Sequence, residues 1–369
     1  MLQLKKDPYF YLFPLGLISA SIGILIWIAY QLGLLNIYPR EAHAALMFFS
    51  FLGAFISGFL MTAIPKMTKT DPASTTEILG AGIFMPAAWV MAYVNHIRLM
   101  ILIYLLQLLY LLFFISRRFL VKKQIPFEGF VFMPFAFLLA FFGLGHYFLA
   151  AVNDLTLVYT LAGEAFVLNL ICGLGSRLIP VLSRLPNALN PDMQGDKSRL
   201  LKFFTAALLL NTSFILQFTG YALLAFLCRA VVITVIAIYF FRIFHKPIVF
   251  TCVGWSLKLA TGVMIFGYLI AAYNYHNPLA SLHLVYIGGI SLLTLMVATR
   301  VSLAHGGKSL DSELSAMPLL FVALFFMTAA FFRILAGIET QSWKMNIAEF
   351  SFLASIAIWA HTLIVARKN

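Results

Sequence analysis

Twelve long apolar stretches follow one another along the chain, and short polar or charged segments separate them. Each runs for about 18 to 25 residues, the length at which a helix crosses the roughly 30 Å hydrocarbon core of a bilayer. The pattern predicts an all-α, polytopic membrane protein whose helices we call spans 1 to 12. No connecting segment is long enough for a soluble domain and no internal repeat is apparent, so we predict one transmembrane domain over residues 1–369. The predicted spans cover residues 11–35, 43–65, 77–94, 99–116, 127–150, 155–182, 201–220, 222–244, 250–273, 280–304, 315–338 and 345–366.

Composition and charge agree with this prediction. Of the 369 residues, 62% are hydrophobic and only 10% are charged, and the net charge is +12. In a soluble protein that charge would suggest a nucleic-acid partner, but here Lys and Arg are divided unevenly between the two sets of loops. One set, with both termini, holds 17 of the 25, and the other holds three. The positive-inside rule therefore predicts cytoplasmic termini, a multi-pass protein of the inner (plasma) membrane, and no nucleic-acid partner.

Two histidines lie at the same predicted depth on different spans. His43 begins span 2 and His283 begins span 10, and both spans start on the outer side. His305 follows His283 by 22 residues, which separates them by about 33 Å and prevents them from sharing one metal. Two facing imidazoles can hold a metal or a haem iron, whereas a single interfacial histidine is as often a headgroup-level polar residue. His146, at the outer end of span 5, is a further candidate ligand.

The helical face below each of these two histidines is rich in small residues. Small residues allow close packing between helices, and they equally leave room for a flat macrocycle, so both interpretations stay open. On span 2 this face carries Ser50, Ala54, Ser57 and Gly58, and on span 10 it carries Thr294 and Ala298.

Five charged residues in or near the spans are candidates for function. Glu164, Arg229 and Lys258 fall well inside spans 6, 8 and 9, where ionisable groups are costly and usually face the interior of the bundle. They predict either a packing ion pair or a proton path. Arg40 and Arg333 lie near the outer surface, where a guanidinium can neutralise the propionates of a haem.

Three sequence blocks resemble those of one membrane protein family. The first, AHAALMFFSFLGAFISGFLMTAIPKMT, covers residues 42–68 and resembles the signature of the NnrS family, with His43 at the position of the first signature histidine. The second, HLVYIGGISLLTLMVATRVSLAHGGKSL, runs from His283 and includes Arg300 and His305. The third is GSRLIPVLSR, which contains Arg177. The blocks occur in the family's order and at similar spacing.

The resemblance implies a twelve-helix membrane protein associated with haem, copper and tolerance to nitric oxide. The first block is also similar to helix two of haem-copper oxidase subunit I, whose low-spin haem has ligands on helices two and ten, so a haem-copper-oxidase-like bundle is implied. Two departures bear on the metals. The second histidine of the NnrS signature is Ala45 here, and spans 6 and 7 contain no histidine that could bind an oxidase copper. The sequence therefore favours haem b over copper.

These observations predict an integral membrane b-type haem protein of the NnrS type. We expect the haem near the outer face between spans 2 and 10, held by His43 and His283 with Arg40 and Arg333 as propionate partners. The expected role is redox or nitric-oxide-related chemistry in nitrosative stress, with a membrane or periplasmic redox partner. If copper binds, His43, His283, His146 and His305 are its candidate ligands.

Two other functions remain open at this point. One is a cofactor-free transporter or channel that uses Glu164, Lys258 and Arg229. The other is a structural or regulatory membrane component of the same stress response. The sequence contains no P-loop, GxSxG, HExxH or CxxC motif, and it assigns no catalytic residue.

Overall fold

The computed structural model describes residues 7–124, 127–150, 154–188, 197–305, 317–338 and 342–368. The described residues form helices joined by short loops and contain no strand. Among these residues, twelve helical spans are long and apolar enough to cross a membrane, as the sequence predicts. They are Tyr9–Gln31, Arg40–Thr68, Thr75–Tyr93, Ile97–Leu120, Glu128–Leu149, Leu155–Leu182, Lys197–Phe218, Ala222–Tyr239, Cys252–Tyr273, Leu279–Ala304, Met317–Ile338 and Ser342–Val365.

The ends of several spans are set by local backbone signals. Span 3 begins with a capping box, in which the Ser74 hydroxyl accepts from the Glu77 N–H and the Glu77 carboxylate accepts from the Ser74 N–H. Span 9 begins with a simpler cap, in which the Thr251 hydroxyl accepts from the Gly254 N–H. Span 8 ends at Tyr239, earlier than predicted, and Arg242 just beyond it adopts a left-handed backbone with φ of 56°. The apolar residues that follow therefore belong to a loop.

The chain is divided into two compact units. Unit 1 comprises Met1–Pro126 and Ala140–Glu164, and unit 2 comprises Phe127–Leu139 and Ala165–Asn369. In unit 1, span 1 packs along spans 2 and 3, and span 4 packs against spans 2 and 3. In unit 2, span 9 packs against spans 8 and 10, and span 11 pairs with span 12. The prediction of a single transmembrane domain stays a prediction.

In the described part of the chain, three spans contain long π-helical segments, in which the backbone hydrogen bonds run from residue i+5 to residue i. They are Leu46–Leu52 in span 2, Tyr159–Ala165 in span 6 and Leu284–Ser291 in span 10. Such segments are rare and are frequently found at functional sites. In the described chain they occur at every fourth span, a periodicity that the sequence does not reveal. Two of them directly follow the short helical turns that carry His43 and His283.

A pair of buried asparagines joins spans 6 and 7 within unit 2. The Asn169 amide nitrogen donates to Asn211 Oδ1 and the Asn211 nitrogen donates to Asn169 Oδ1, both at 2.9 Å. Each nitrogen also donates to a carbonyl one turn earlier on its own helix. Both side chains are almost fully buried, so each amide relies on the other as its hydrogen-bond partner.

Replacing Asn211 with Leu is expected to lower the free energy of unfolding by about 1 to 3 kcal/mol, because it leaves the Asn169 amide buried without its partner. The double variant Asn169→Leu/Asn211→Leu should lose less than the sum of the two single variants, because it leaves no polar group unpaired. Unfolding of all variants in one detergent measures both effects. Strict additivity of the two single losses would contradict this prediction.

Candidate functional site

His43 is positioned by a hydrogen bond to the neighbouring span. Its Nδ1 lies 2.7 Å from the carbonyl oxygen of Gly23 in span 1. A carbonyl oxygen can only accept, so Nδ1 carries the hydrogen and the neutral ring keeps its lone pair on Nε2. A histidine that ligates a metal through Nε2 is generally held in this way. The side chain is half-buried at the beginning of span 2.

The surroundings of His43 depend on close packing between spans 1 and 2. A methyl group on Gly23 would lie 3.1 Å from the sulfur of Met47, so the glycine allows its carbonyl to approach the imidazole. Trp27, one turn further along span 1, packs edge-on to the His43 ring with centroids 5.9 Å apart. Sequence reasoning missed both residues, since neither the contact between the spans nor its register is encoded in a recognisable motif.

His283 has the same hydrogen-bonding arrangement in unit 2. Its Nδ1 lies 2.7 Å from the carbonyl oxygen of Leu279, one turn earlier in span 10. The hydrogen is again on Nδ1 and the lone pair on Nε2. Tyr286 packs edge-on to the ring at 6.0 Å. The two candidate ligands therefore present the same ring nitrogen, although one is held by a neighbouring span and the other by its own helix.

Each candidate arginine lies at the same end of its unit as the candidate histidine. Arg40 is exposed in the first turn of span 2, three residues before the histidine. Arg333 is half-buried on span 11, one turn before Gly337. A methyl group on Gly337 would lie 2.5 Å from Ala280 Cβ, at the beginning of span 10. The structure thus places Arg333 near the turn that carries the histidine of unit 2.

Of the two further candidate copper ligands, the structure describes the side chain of His146 but not that of His305. His146 is exposed at the end of span 5, where its ring lies 6.4 Å from that of Phe142. His305 ends the helix of span 10, and its side chain lies outside the described part. Among the described residues, no three His, Cys, Asp or Glu side chains are grouped so that they could hold a metal ion. Copper binding stays a prediction.

Of the three charges predicted inside the bundle, two are buried and one is not. Glu164 is buried in the π-helical segment of span 6, and Arg229 is fully buried in span 8. Lys258 is only half-buried, and its Nζ donates to the carbonyl oxygen of His245 in the preceding loop at 2.6 Å. The prediction of a buried charge is wrong for Lys258, because its long stem carries the ammonium to the end of the span.

Arg229 is held by groups from span 7 and by aromatic rings. Its Nε donates to Ser213 Oγ at 3.1 Å, and one terminal nitrogen donates to Gln217 Oε1 at 2.5 Å. The guanidinium also lies 3.8 Å from the centre of the Phe214 ring. These contacts bind span 8 to span 7 and solvate the charge inside the protein.

A stack of aromatic rings joins the π-helical segments of spans 2 and 6 within unit 1. Phe49, in the span 2 segment, stacks on Tyr104 of span 4 at 4.2 Å and on Tyr159 of span 6 at 5.5 Å. The Tyr104 hydroxyl donates to the carbonyl oxygen of Ala162, and the Tyr159 hydroxyl donates to that of Glu41. The stack therefore fixes the beginning of span 2, where His43 lies.

The twelve apolar helices of the described residues, with Glu164 and Arg229 buried among them, define an all-α, multi-pass membrane protein. The model of the NnrS protein family matches residues 4–366, nearly the whole chain, and the chain therefore belongs to the NnrS family. Membership confirms the family resemblance and supports a nitric-oxide-related membrane protein at the level of the family. A search of curated proteins finds no match.

Proposed function

We propose that the chain is a b-type haem protein of the membrane, with a redox or nitric-oxide-related role in nitrosative stress. His43 and His283 would hold the haem iron as its two axial ligands near the outer face, between spans 2 and 10. Family membership supports the general class. The specific assignment depends on the two histidines.

The observation that carries this proposal is the matching hydrogen bond of the two imidazoles. In each, Nδ1–H donates to a backbone carbonyl at 2.7 Å and Nε2 keeps the lone pair. Each hydrogen bond sets the tautomer and orientation of its ring in the way that is general for metal-binding histidines. This arrangement supports the proposal of a haem held by the two histidines.

A haem held by His43 and His283 would supply one-electron exchange. The protein's own residues would determine its position and surroundings. Arg40 and Arg333 lie at the same ends of their units as the two histidines and can donate charge-assisted hydrogen bonds to propionates. The excess of Lys and Arg in one set of loops supports cytoplasmic termini in the inner membrane. A haem near the outer face would exchange electrons with a membrane or periplasmic redox partner on that side.

The alternative function is a cofactor-free transporter or channel. The burial of Glu164 and Arg229 favours it, since buried charges often mark ion pathways. However, Arg229 is surrounded by hydrogen-bond acceptors and aromatic rings that anchor it to span 7, and Lys258 reaches a loop carbonyl. Flux of a solute or ion through haem-free proteoliposomes would favour this alternative.

The purified full-length protein is expected to show the reduced-minus-oxidised spectrum of a low-spin b-type haem. Haem extraction should give a simple stoichiometric ratio to protein, and metal analysis of the same sample tests copper binding. A well-folded preparation from haem-sufficient cells that contains no haem, and takes up none when haem is added, would contradict the proposal.

A further inference from the structure

The loop between spans 8 and 9 has a fixed conformation. The Arg242 guanidinium donates to the carbonyl oxygen of Pro186 at 3.0 Å, and the Ile248 N–H donates to that of Arg184 at 2.8 Å. Phe241 is fully buried, with its ring close to Gly175 of span 6. These contacts tie the backbone of the loop to the end of span 6 within unit 2.

Large apolar side chains of this loop point outward despite its fixed backbone. Phe244 is 78% exposed, Ile248 is 73% exposed and Phe250 is 60% exposed. Tyr239 at the end of span 8 and Trp255 in the first turn of span 9 are exposed as well. Exposed apolar side chains therefore run from the end of span 8 through the loop to the beginning of span 9, and aromatic residues at the end of a span typically lie at the level of the headgroups.

The same surface is strongly basic. Arg242 and Lys246 lie in the loop, and the Lys258 ammonium reaches it through the carbonyl oxygen of His245. Residues 240–251, which form the loop, include no Asp or Glu. We call Arg242, Lys246 and Lys258, together with the exposed Phe244, Ile248 and Phe250, the basic platform.

We propose that the basic platform is a binding site for an anionic phospholipid. The cations would contact the headgroup phosphate, and the apolar side chains would lie among the acyl chains. Clusters of Lys and Arg beside the end of a transmembrane helix attract anionic lipids, and the continuity with the lipid-facing surface favours a lipid over a soluble partner. The site is independent of any haem.

The experiment uses the full-length protein in nanodiscs of phosphatidylcholine alone or phosphatidylcholine mixed with phosphatidylglycerol. Native mass spectrometry measures the phosphatidylglycerol retained, and thermal unfolding measures the stabilisation it gives. The variant Arg242→Gln/Lys246→Gln should retain phosphatidylglycerol with about thirtyfold lower affinity, because each cation near an anionic lipid contributes a several-fold factor. Its stabilisation by phosphatidylglycerol should disappear.

Lys69→Gln is the matched control for Lys246→Gln, since it removes one exposed cation from a loop on the same predicted side whose residues 70–74 include no large apolar side chain. It should retain phosphatidylglycerol as the unaltered protein does. Lys246 is exposed, so Lys246→Gln alone tests the site without disturbing a packed contact, and Lys246→Arg should restore binding. Unchanged retention in the platform variants, or an equal loss in the control, would overturn the proposal.

Discussion

Replacing either His43 or His283 with Ala is expected to remove the low-spin haem spectrum proposed for the purified protein. Each imidazole is expected to supply one axial ligand through Nε2, and iron with one such ligand left cannot keep the six-coordinate, low-spin state. Removing a group that only hydrogen-bonds to a metal ligand typically lowers metal affinity by about tenfold to hundredfold. Removing the ligand itself should lower the affinity for haem by more than this. Absorption and electron paramagnetic resonance spectra of the two variants measure the loss.

The matched control is His245→Ala. His245 is exposed in the loop after span 8, and its carbonyl, which accepts from Lys258, is kept in the variant. This variant should therefore fold and show the unaltered haem spectrum. If His43→Ala or His283→Ala retained a low-spin spectrum identical to that of His245→Ala, the assignment of ligands would be wrong, whether or not the protein binds haem elsewhere.

The spans and the family could be read from the sequence because hydrophobic length is set by the bilayer, not by tertiary contacts. The candidate ligands His43 and His283 were found by depth and by motif. The sequence did not reveal the groups that orient these two imidazoles. The Gly23 carbonyl acts on His43 from another span, 20 residues away in the chain, and such a contact depends on how two helices pack.

The π-helical segments were also missed, for a related reason. A π-helix keeps the apolar composition of an ordinary span, so residues such as those around Phe49 or Tyr159 give no distinct hydrophobic pattern. The structure shows instead that Tyr104 donates to a carbonyl inside the span 6 segment and stacks on the segment of span 2. Long-range contacts of this kind stabilise a backbone that local preference alone would not select.

The largest expected loss of stability comes from Gly173→Ala. A methyl group on Gly173 would lie 2.5 Å from the carbonyl oxygen of Gly129, at the beginning of span 5, and 3.0 Å from Phe132 Cβ. The first contact is with backbone, which cannot rotate away as a side chain can. Spans 5 and 6 would therefore have to separate in unit 2, at a cost of about 3 kcal/mol.

Gly262→Ala is the control that separates the steric clash from helical preference. Gly262 also lies inside a helix, but a methyl group there would meet nothing within 4 Å. Alanine is the better helix former by up to about 1 kcal/mol, so this control should leave the unfolding midpoint unchanged or raise it. Gly173→Ala gains the same helical preference and should still unfold at a clearly lower temperature in the same detergent. Helical preference acts on both variants alike, so only the contact at Gly173 distinguishes them. Equal unfolding midpoints would therefore mean that spans 5 and 6 are not in backbone contact at Gly173.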